Sequence, residues 1–564
     1  MAHAQSQSLS DEAHAASIVA STLEDDHEYG AVFTRRWIVE LILDLVGYTC
    51  ERDLADLRAI EPASGSGAFL GPMVERLVRS CRLHDRDIND ARSAIQACDL
   101  QPASVAESRR VAQERLVSAG HSAETAQALA DGWVAHGDFL LNQRNADTAD
   151  FVVGNPPYIR LEAVPQFRSE AYRRACSTMG GRSDVYVGFF EVGLNALRTH
   201  GALGFICADR WMRNQYGQRL RSMVASRFSV EAVIEMHDVD AFDEEVSAYP
   251  SVTVVRREQQ GPAIVATAHS NFDISAASRV RLWAKREDDL RMSDPTFEAA
   301  RLPAWFDGSS SWPTGSPERL ALVARLERDL PPLEDGETGT KVGIGVATGA
   351  DRVFVTKDPA IVESDRLLPL AMGRDTLSGH LDWSGHFLVN PWDGDTGALV
   401  SLDQHPRLHA YFEANAPALL KRSVADRRPQ QWYRTIDRVD HSLTSRSKLL
   451  IPDIKAEIHP VLDSGLFYPH HNLYWVASDQ WDPGVLGGLL LSRVAQMFIE
   501  CYAVKMRGGY LRFQAQYLRR IRVPRLDWLS TRTANELQLA FATRDVEQAT
   551  AAALNAYGLG ELPR

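Results

Sequence analysis

The chain has 564 residues, 45% hydrophobic and 24% charged, an ordinary globular composition with length for about two to four domains. Its six cysteines, Cys50, Cys81, Cys98, Cys176, Cys207 and Cys501, form no CxxC pair. That argues against a disulfide framework and a zinc site, and no metal is expected. No apolar run reaches ~18 residues, so no membrane span is expected, and the polar stretch Met1 to Ser21 lacks the basic start and apolar run of a signal peptide. The net charge of −13 disfavours a nucleic-acid binder at face value, but Ser401 to Ser530 holds 18 Lys/Arg against 12 Asp/Glu, a local +6 that leaves −19 elsewhere. A basic region on an acidic protein is what a localised phosphate-contacting face looks like, with uneven surface composition as the plain alternative.

Residues 1–27 read as a flexible leader. Beyond Gly30, Thr34 is placed to cap a helix whose Trp37, Ile38, Leu41, Ile42 and Leu45 share one apolar face. Leu57 to Glu61 reads as a short strand running into Pro62-Ala63-Ser64-Gly65-Ser66-Gly67, a small-residue turn that opens a helix to about Leu83. A second strand, Ala94 to Cys98, ends at Asp99; 102–133 is mostly helical; a third strand ends at Gly137-Asp138. The fourth, Phe151 to Val153, ends in Asn155-Pro156-Pro157-Tyr158. Val185 to Leu197 reads as an apolar helix, and Gly201 to Cys207, Ser229 to Glu235 and Ser251 to Val255 as strands. This alternation predicts a doubly wound, mostly parallel sheet, with every chemical residue at a strand's C-terminal end, where such sheets bind ligands. Turn-rich segments surround a helix at Glu318 to Leu330; Val342 to Val355 and Leu449 to Ile454 read as strands of a mixed domain, and Asn535 to Tyr557 as a helical tail.

The turn at Glu61 to Gly67 combines glycines, which allow close backbone approach, with a helix start that presents free N–H groups. It departs from GxGxxG and carries no Walker lysine, so alone it is equally a packing turn. Asp99 is placed to bind ribose hydroxyls, and Asp138 to accept from an adenine amino group. Asn155 to Tyr158 is the most informative stretch. Prolines hold φ near about −65° and free the Pro156 carbonyl, Asn155 offers an amide, and Tyr158 offers a flat ring. An aromatic amino group is a poor nucleophile because its lone pair is delocalised. Asn155 Oδ1 and the Pro156 carbonyl can accept its two N–H bonds and draw the nitrogen towards tetrahedral geometry, with Tyr158 stacked on the ring. A base in duplex DNA reaches such a pocket only if flipped out, at a cost on the order of a few kcal/mol. Phe242 is the choice for a second aromatic wall and Tyr249 the rival; plain burial in the core is an equal reading of either.

Asn-Pro-Pro-Tyr after a buried strand resembles the catalytic loop of S-adenosylmethionine-dependent amino methyltransferases. The order of elements resembles the gamma-class N6-adenine DNA methyltransferases, the TaqI-type enzymes of restriction-modification systems: Gly30 to Trp37, Glu61 to Gly67, Asp99, Asp138, Asn155 to Tyr158, Arg182 to Phe190, Gly204 to Met212, then Phe242. Asp99 stands where Glu is more usual, and the helical stretch at 102–133 is an insert. The resemblance covers residues 28–256 well and continues thinly through Gly343 to Gly349 and His471 to Tyr474. It implies an α/β, Rossmann-like doubly wound methyltransferase sheet with a C-terminal mixed α+β target-recognition domain. It also implies S-adenosylmethionine as cofactor, with Thr34, Glu61, Ala63, Gly65, Gly67, Asp99, Asp138 and Asn155 around it, and Asn155, Pro156, Pro157, Tyr158 and Phe242 at the catalytic centre.

The expected organisation is a leader at 1–27, a methyltransferase domain at 28–260, a connecting segment at 261–340, a DNA target-recognition domain at 341–530 and a helical tail at 531–564. Arg427, Arg428 and Arg434 beside Trp432-Tyr433 form one candidate DNA face; Arg507, Arg512 and Arg519 form the other. The expected partner is double-stranded DNA, with a cognate restriction endonuclease acting separately and the protein a monomer or weak dimer in the bacterial cytoplasm. Methyl transfer to RNA or protein, or a methyltransferase subunit of a larger defence complex, is the alternative.

Overall fold

The computed structural model describes residues 34–142, 146–242, 249–286, 288–303, 305–503 and 509–563. The leader at 1–27, the stretch Gly30 to Phe33 and Arg507 lie outside them. The chain divides into two compact units, Met1–Ala321 and Leu322–Arg564.

The first unit is built on ten strands: β1 (Ala59–Glu61), β2 (Ile95–Asp99), β3 (Val134–His136), β4 (Ala149–Gly154), β5 (Leu197–Ala208), β6 (Ser229–Glu235), β7 (Pro250–Arg256), β8 (Ala263–Ala268), β9 (Arg291–Asp294) and β10 (Phe297–Leu302). Their order across the sheet is β3-β2-β1-β4-β5-β7-β6-β8-β10-β9. Neighbours from β3 to β5 are parallel, and β7 runs antiparallel between β5 and β6. Helices cover the faces of the parallel strands, and at the sheet's centre every residue of β4 is buried. Because β3, β2, β1 and β4 are parallel neighbours, their C-terminal ends share one edge, and their last polar residues meet there.

The helices around this edge are α1 (Arg36–Val46), α2 (Leu70–Leu83), α3 (Pro102–Ser118), α4 (Ala123–Trp133), α5 (Gln166–Ala175) and α6 (Tyr186–Ala196). Helix α1 buries Ile38, Val39, Leu41, Ile42, Leu43 and Val46, each worth on the order of 1.5–3 kcal/mol before the entropy of ordering is set against it. It can lie close to β5 only because residue 204 is glycine: a Cβ there would sit 2.5 Å from Val46 Cγ1.

Three expectations are corrected. Thr34 does not cap α1, whose N-cap is Arg35; the Thr34 backbone instead bridges to Phe242. The span 261–340 is not a mere connection. Its apolar run Ala263–Ala268 pairs with β6 and, with β9 and β10, widens the sheet. The turn-rich stretch after Phe306 folds down as well: Trp312 is fully buried and stacks on Phe306 at 3.9 Å. Finally, 345–350 is not strand, since Lys341–Ile344 ends before a short helix at Asp351–Phe354.

The second unit is mixed α+β. One sheet runs Lys341–Ile344, Leu473–Ala477, Lys448–Pro452, Val461–Asp463, and another joins Val355–Thr356, Phe387–Val389, Leu367–Ala371 and Tyr468–Pro469. The tail at 531–564 belongs to this unit. It forms two helices, Thr531–Thr543 and Val546–Tyr557, packed on Pro483–Leu491. Gly487 and Gly488 make that packing possible, since a Cβ at Gly488 would lie 2.4 Å from the Leu537 carbonyl. No single helix among the described residues is long and apolar enough to cross a membrane.

Candidate active site

Thr34, Glu61, Asp99, Asp138, Asn155 and Tyr158 line one cavity at the strand ends. Ala63, Gly65, Pro156 and Pro157 also face it. Gly67 does not; its φ of 82° shapes the turn, and a Cβ there would press on Val111 at 3.2 Å. The turn is fastened from β2. One oxygen of Asp99 accepts from the Gly65 N–H at 2.9 Å, and the other from the Gln101 N–H at 2.9 Å. Ser108 Oγ lies 3.0 Å from both Ser64 Oγ and the Gly65 carbonyl. Asp99 is thus a staple of the glycine turn as well as a strand-end acid facing the cavity.

The acids here are held in an unusual state. Glu61 is 1% exposed, and its Oε2 has no hydrogen-bond partner. Burial, then the nearby Asp99 charge, push its carboxyl well above the ordinary range. Burial likewise raises Asp99 and Asp138. Asp138 Oδ2 accepts from the Tyr172 hydroxyl at 2.7 Å, and Oδ1 from the Leu140 N–H at 3.0 Å. A buried carboxylate oxygen without a partner costs about 1–3 kcal/mol or more, so the site is built for a ligand rich in hydroxyl and ammonium donors. Tyr172 was not legible in the sequence: it sits in α5 with no motif around it.

The catalytic-type loop leaves β4 at Gly154, where a Cβ would meet Pro62 Cδ at 3.3 Å. Asn155 Nδ2 donates to Thr34 Oγ1 at 3.1 Å. The Tyr158 hydroxyl donates to the Ile206 carbonyl on β5 at 3.2 Å. The Tyr158 ring meets Phe242 edge-on, centroids 6.1 Å apart at 73°; Phe242 itself is buried in the core and, unlike Tyr158, does not line the cavity. Tyr249 is directed elsewhere: its ring packs on His237 at 5.0 Å.

The second unit sorts the candidate arginines. Arg427, Arg428 and Arg434 line one groove with Ser423, Val424 and Ile436, and none of the three forms an ion pair among the described residues. Arg434 lies over the Trp392 ring at 5.2 Å. In contrast, Arg512 pairs with Asp453, and Arg519 pairs with Glu334 at 2.9 Å while donating to the Val342 carbonyl at 2.7 Å. A guanidinium already bonded to a carboxylate is a poor competitor for phosphate.

A sheet of this order with parallel strands at its site edge, a glycine turn stapled by the strand-end acid Asp99, and an Asn-Pro-Pro-Tyr loop beside it define an S-adenosylmethionine-dependent methyltransferase. A family model for the Eco57I restriction-modification methylases matches residues 92–242. The type II methyltransferase M.PaeR7I of Pseudomonas aeruginosa is 43% identical over 95% of this chain and 92% of its own length. The type II methyltransferase M.XhoI of Xanthomonas vasicola is 40% identical over 95% and 98%. Among solved structures, the type IIL restriction-modification enzyme MmeI in complex with DNA shares the fold, with a TM-score of 0.55 at 11% identity over 94% of this chain and 74% of that one. The chain belongs to the type II DNA methyltransferases of restriction-modification systems.

Proposed function

We propose that this methyltransferase acts on N6 of an adenine turned out of double-stranded DNA, and that it protects its host's DNA from a separate restriction endonuclease. The observation that carries the reading is the Asn155 amide, held by Thr34 at the cavity wall, next to the Tyr158–Phe242 aromatic pair. With Nδ2 committed to Thr34, the amide presents Oδ1 as its acceptor. Asn155 Oδ1 and the Pro156 carbonyl take the two amino hydrogens, localise the nitrogen lone pair and aim it. Tyr158, fixed through Ile206, offers a ring face, and Phe242, packed edge-on against Tyr158, is the aromatic assigned to the other side of the base.

Glu61, Asp99 and Asp138 would hold the S-adenosylmethionine through its hydroxyl and amino groups, and the partnerless Glu61 Oε2 fits that donor set. When bound, this cofactor supplies the methyl group to be transferred. Arg427, Arg428 and Arg434 are the proposed phosphate contacts. The test is modification-sensitive sequencing of DNA from cells expressing the chain. N6-methyladenine at one recurring site supports the reading; DNA that carries no N6-methyladenine, or a methylated cytosine in its place, overturns it.

A further inference from the structure

Tyr158 and Phe242 hang from different parts of the sheet. Tyr158 is tied to β5 through the Ile206 carbonyl. Phe242 closes the segment that leaves β6 at Glu235, with no regular element between. Beyond β7, which pairs with both β5 and β6, a side chain also ties these two parts: Asp209, one residue beyond β5 and fully buried. One of its carboxylate oxygens lies 2.8 Å from His237 Nε2, and the other 2.5 Å from Arg213 Nη2. Arg213 is itself anchored, donating to Thr314 Oγ1 at 2.9 Å. His237 is the second residue after β6, and Tyr249 covers its ring.

From His237 the segment doubles back through bonds from the Val239 N–H to the Met236 carbonyl and from the Ala241 N–H to the Val239 carbonyl. It then arrives at Phe242, where the Arg35 N–H donates to the Ala241 carbonyl and Arg35 Nε to the Phe242 carbonyl. The segment is therefore pinned at both ends: by Asp209 at its start, and by Thr34 and Arg35 at its finish. None of Asp209, Arg213, His237 and Phe242 lines the cavity; Phe242 meets it through its edge contact with Tyr158, which does.

We infer that His237, locked to Asp209, is a positioning residue that sets where the Phe242 ring stands relative to Tyr158, and so fixes the slot for the flipped base. The inference rests on the reading of Tyr158 and Phe242 as the pair that grips the base. Its physical content is tolerance: a misplacement of about 1 Å in a reacting site can cost on the order of 10²-fold in rate, and the bond to a fully buried carboxylate removes that freedom from one wall of the slot.

The experiment is a double-mutant cycle on the full chain. It reads single-turnover methyl transfer at saturating DNA, together with fluorescence of 2-aminopurine placed at the target position of the mapped site. His237→Ala should slow transfer about tenfold or more and reduce the 2-aminopurine signal, while S-adenosylmethionine affinity stays unchanged. His237→Gln, whose amide can still donate towards Asp209, should stay within about threefold of wild type. In a Phe242→Ala background, His237→Ala should have no further effect, because its action runs through that ring. An undiminished rate for His237→Ala overturns the inference, and so does an equal loss in both backgrounds. If His237→Ala does not fold, His237→Asn, too short to reach Asp209, takes its place in the same cycle. A Phe242→Ala variant that transfers methyl at the wild-type rate identifies the base-gripping reading as the step that failed.

Discussion

The amide of Asn155 donates to the hydroxyl of Thr34 across 3.1 Å, joining residues 121 positions apart in sequence. One hydrogen bond thereby orients the group on which the proposed chemistry depends, and Thr34 in turn bridges to Phe242. Asn155→Ala removes the acceptor for the target amine and should reduce methyl transfer by about 10²-fold or more, with DNA affinity retained. Thr34→Val keeps the shape but loses the orienting oxygen, and should lower the rate with little change in the KM for DNA. Steady-state kinetics with tritiated cofactor check both; near-normal turnover in Asn155→Ala removes that residue from the mechanism.

Proton release is the signature of the cofactor acids. Burial and the Asp99 charge raise the Glu61 carboxyl in the folded protein. A raised acid keeps a proton that the unfolded chain has already lost, so its contribution to stability declines as pH climbs from its ordinary value towards the raised one. Ligand donors favour the charged form, so binding should release protons and tighten as pH rises through that window. Calorimetry in two buffers of different ionisation enthalpy reads the release directly. Glu61→Gln should reduce it, leaving the share of Asp99 and Asp138, raise the melting temperature of the ligand-free protein and weaken S-adenosylmethionine binding by about tenfold or more.

The arginines of the second unit should separate by salt dependence. Arg428 forms no ion pair among the described residues, whereas Arg519 is paired with Glu334. Arg428→Ala should lower the slope of log Kd against log salt by about 0.9, one phosphate's worth, and Arg519→Ala should leave it unchanged. Equal slopes for wild type and Arg428→Ala clear the groove at Arg427–Arg434 of phosphate contact.

Acid stability should depend on Asp209. Burial alone would raise this carboxyl, but the Arg213 guanidinium and His237 outweigh it and hold it at about 2. A depressed acid stabilises the fold above its ordinary value, and that contribution is lost as pH falls towards 2. Arg213→Met leaves the buried carboxylate with His237 as its remaining partner, which should cost up to about 3–5 kcal/mol at pH 7. The penalty should shrink in mild acid, where the variant's Asp209 can take up a proton. Thermal melts at the two pH values test the sign.

The strands and their chemical ends were legible because each places an apolar run directly before one polar residue, so a local pattern carries both fold and function at Glu61, Asp99, Asp138 and Asn155. What escaped were contacts that no local pattern encodes. Thr34 looks like a helix cap, and only the tertiary approach of Phe242 and Asn155 turns it into a positioning group. Tyr172, the partner of Asp138, sits in an unremarkable helix. Within 261–340 the turn-rich second half hides the short strands β8, β9 and β10, which are fixed only by pairing in series, β8 on β6, β10 on β8 and β9 on β10. Phe242 is the sequence's choice for the second aromatic and Tyr249 its rival; in the fold the Phe242 ring packs against Tyr158 and the Tyr249 ring against His237.

The most direct measurement is nucleoside mass spectrometry on unmodified duplex DNA incubated with the purified protein and S-adenosylmethionine carrying a deuterated methyl group. The account predicts the label in N6-methyladenine with wild type and its loss with Asn155→Ala. Label in a methylated cytosine, or undiminished label in N6-methyladenine from the variant, contradicts it.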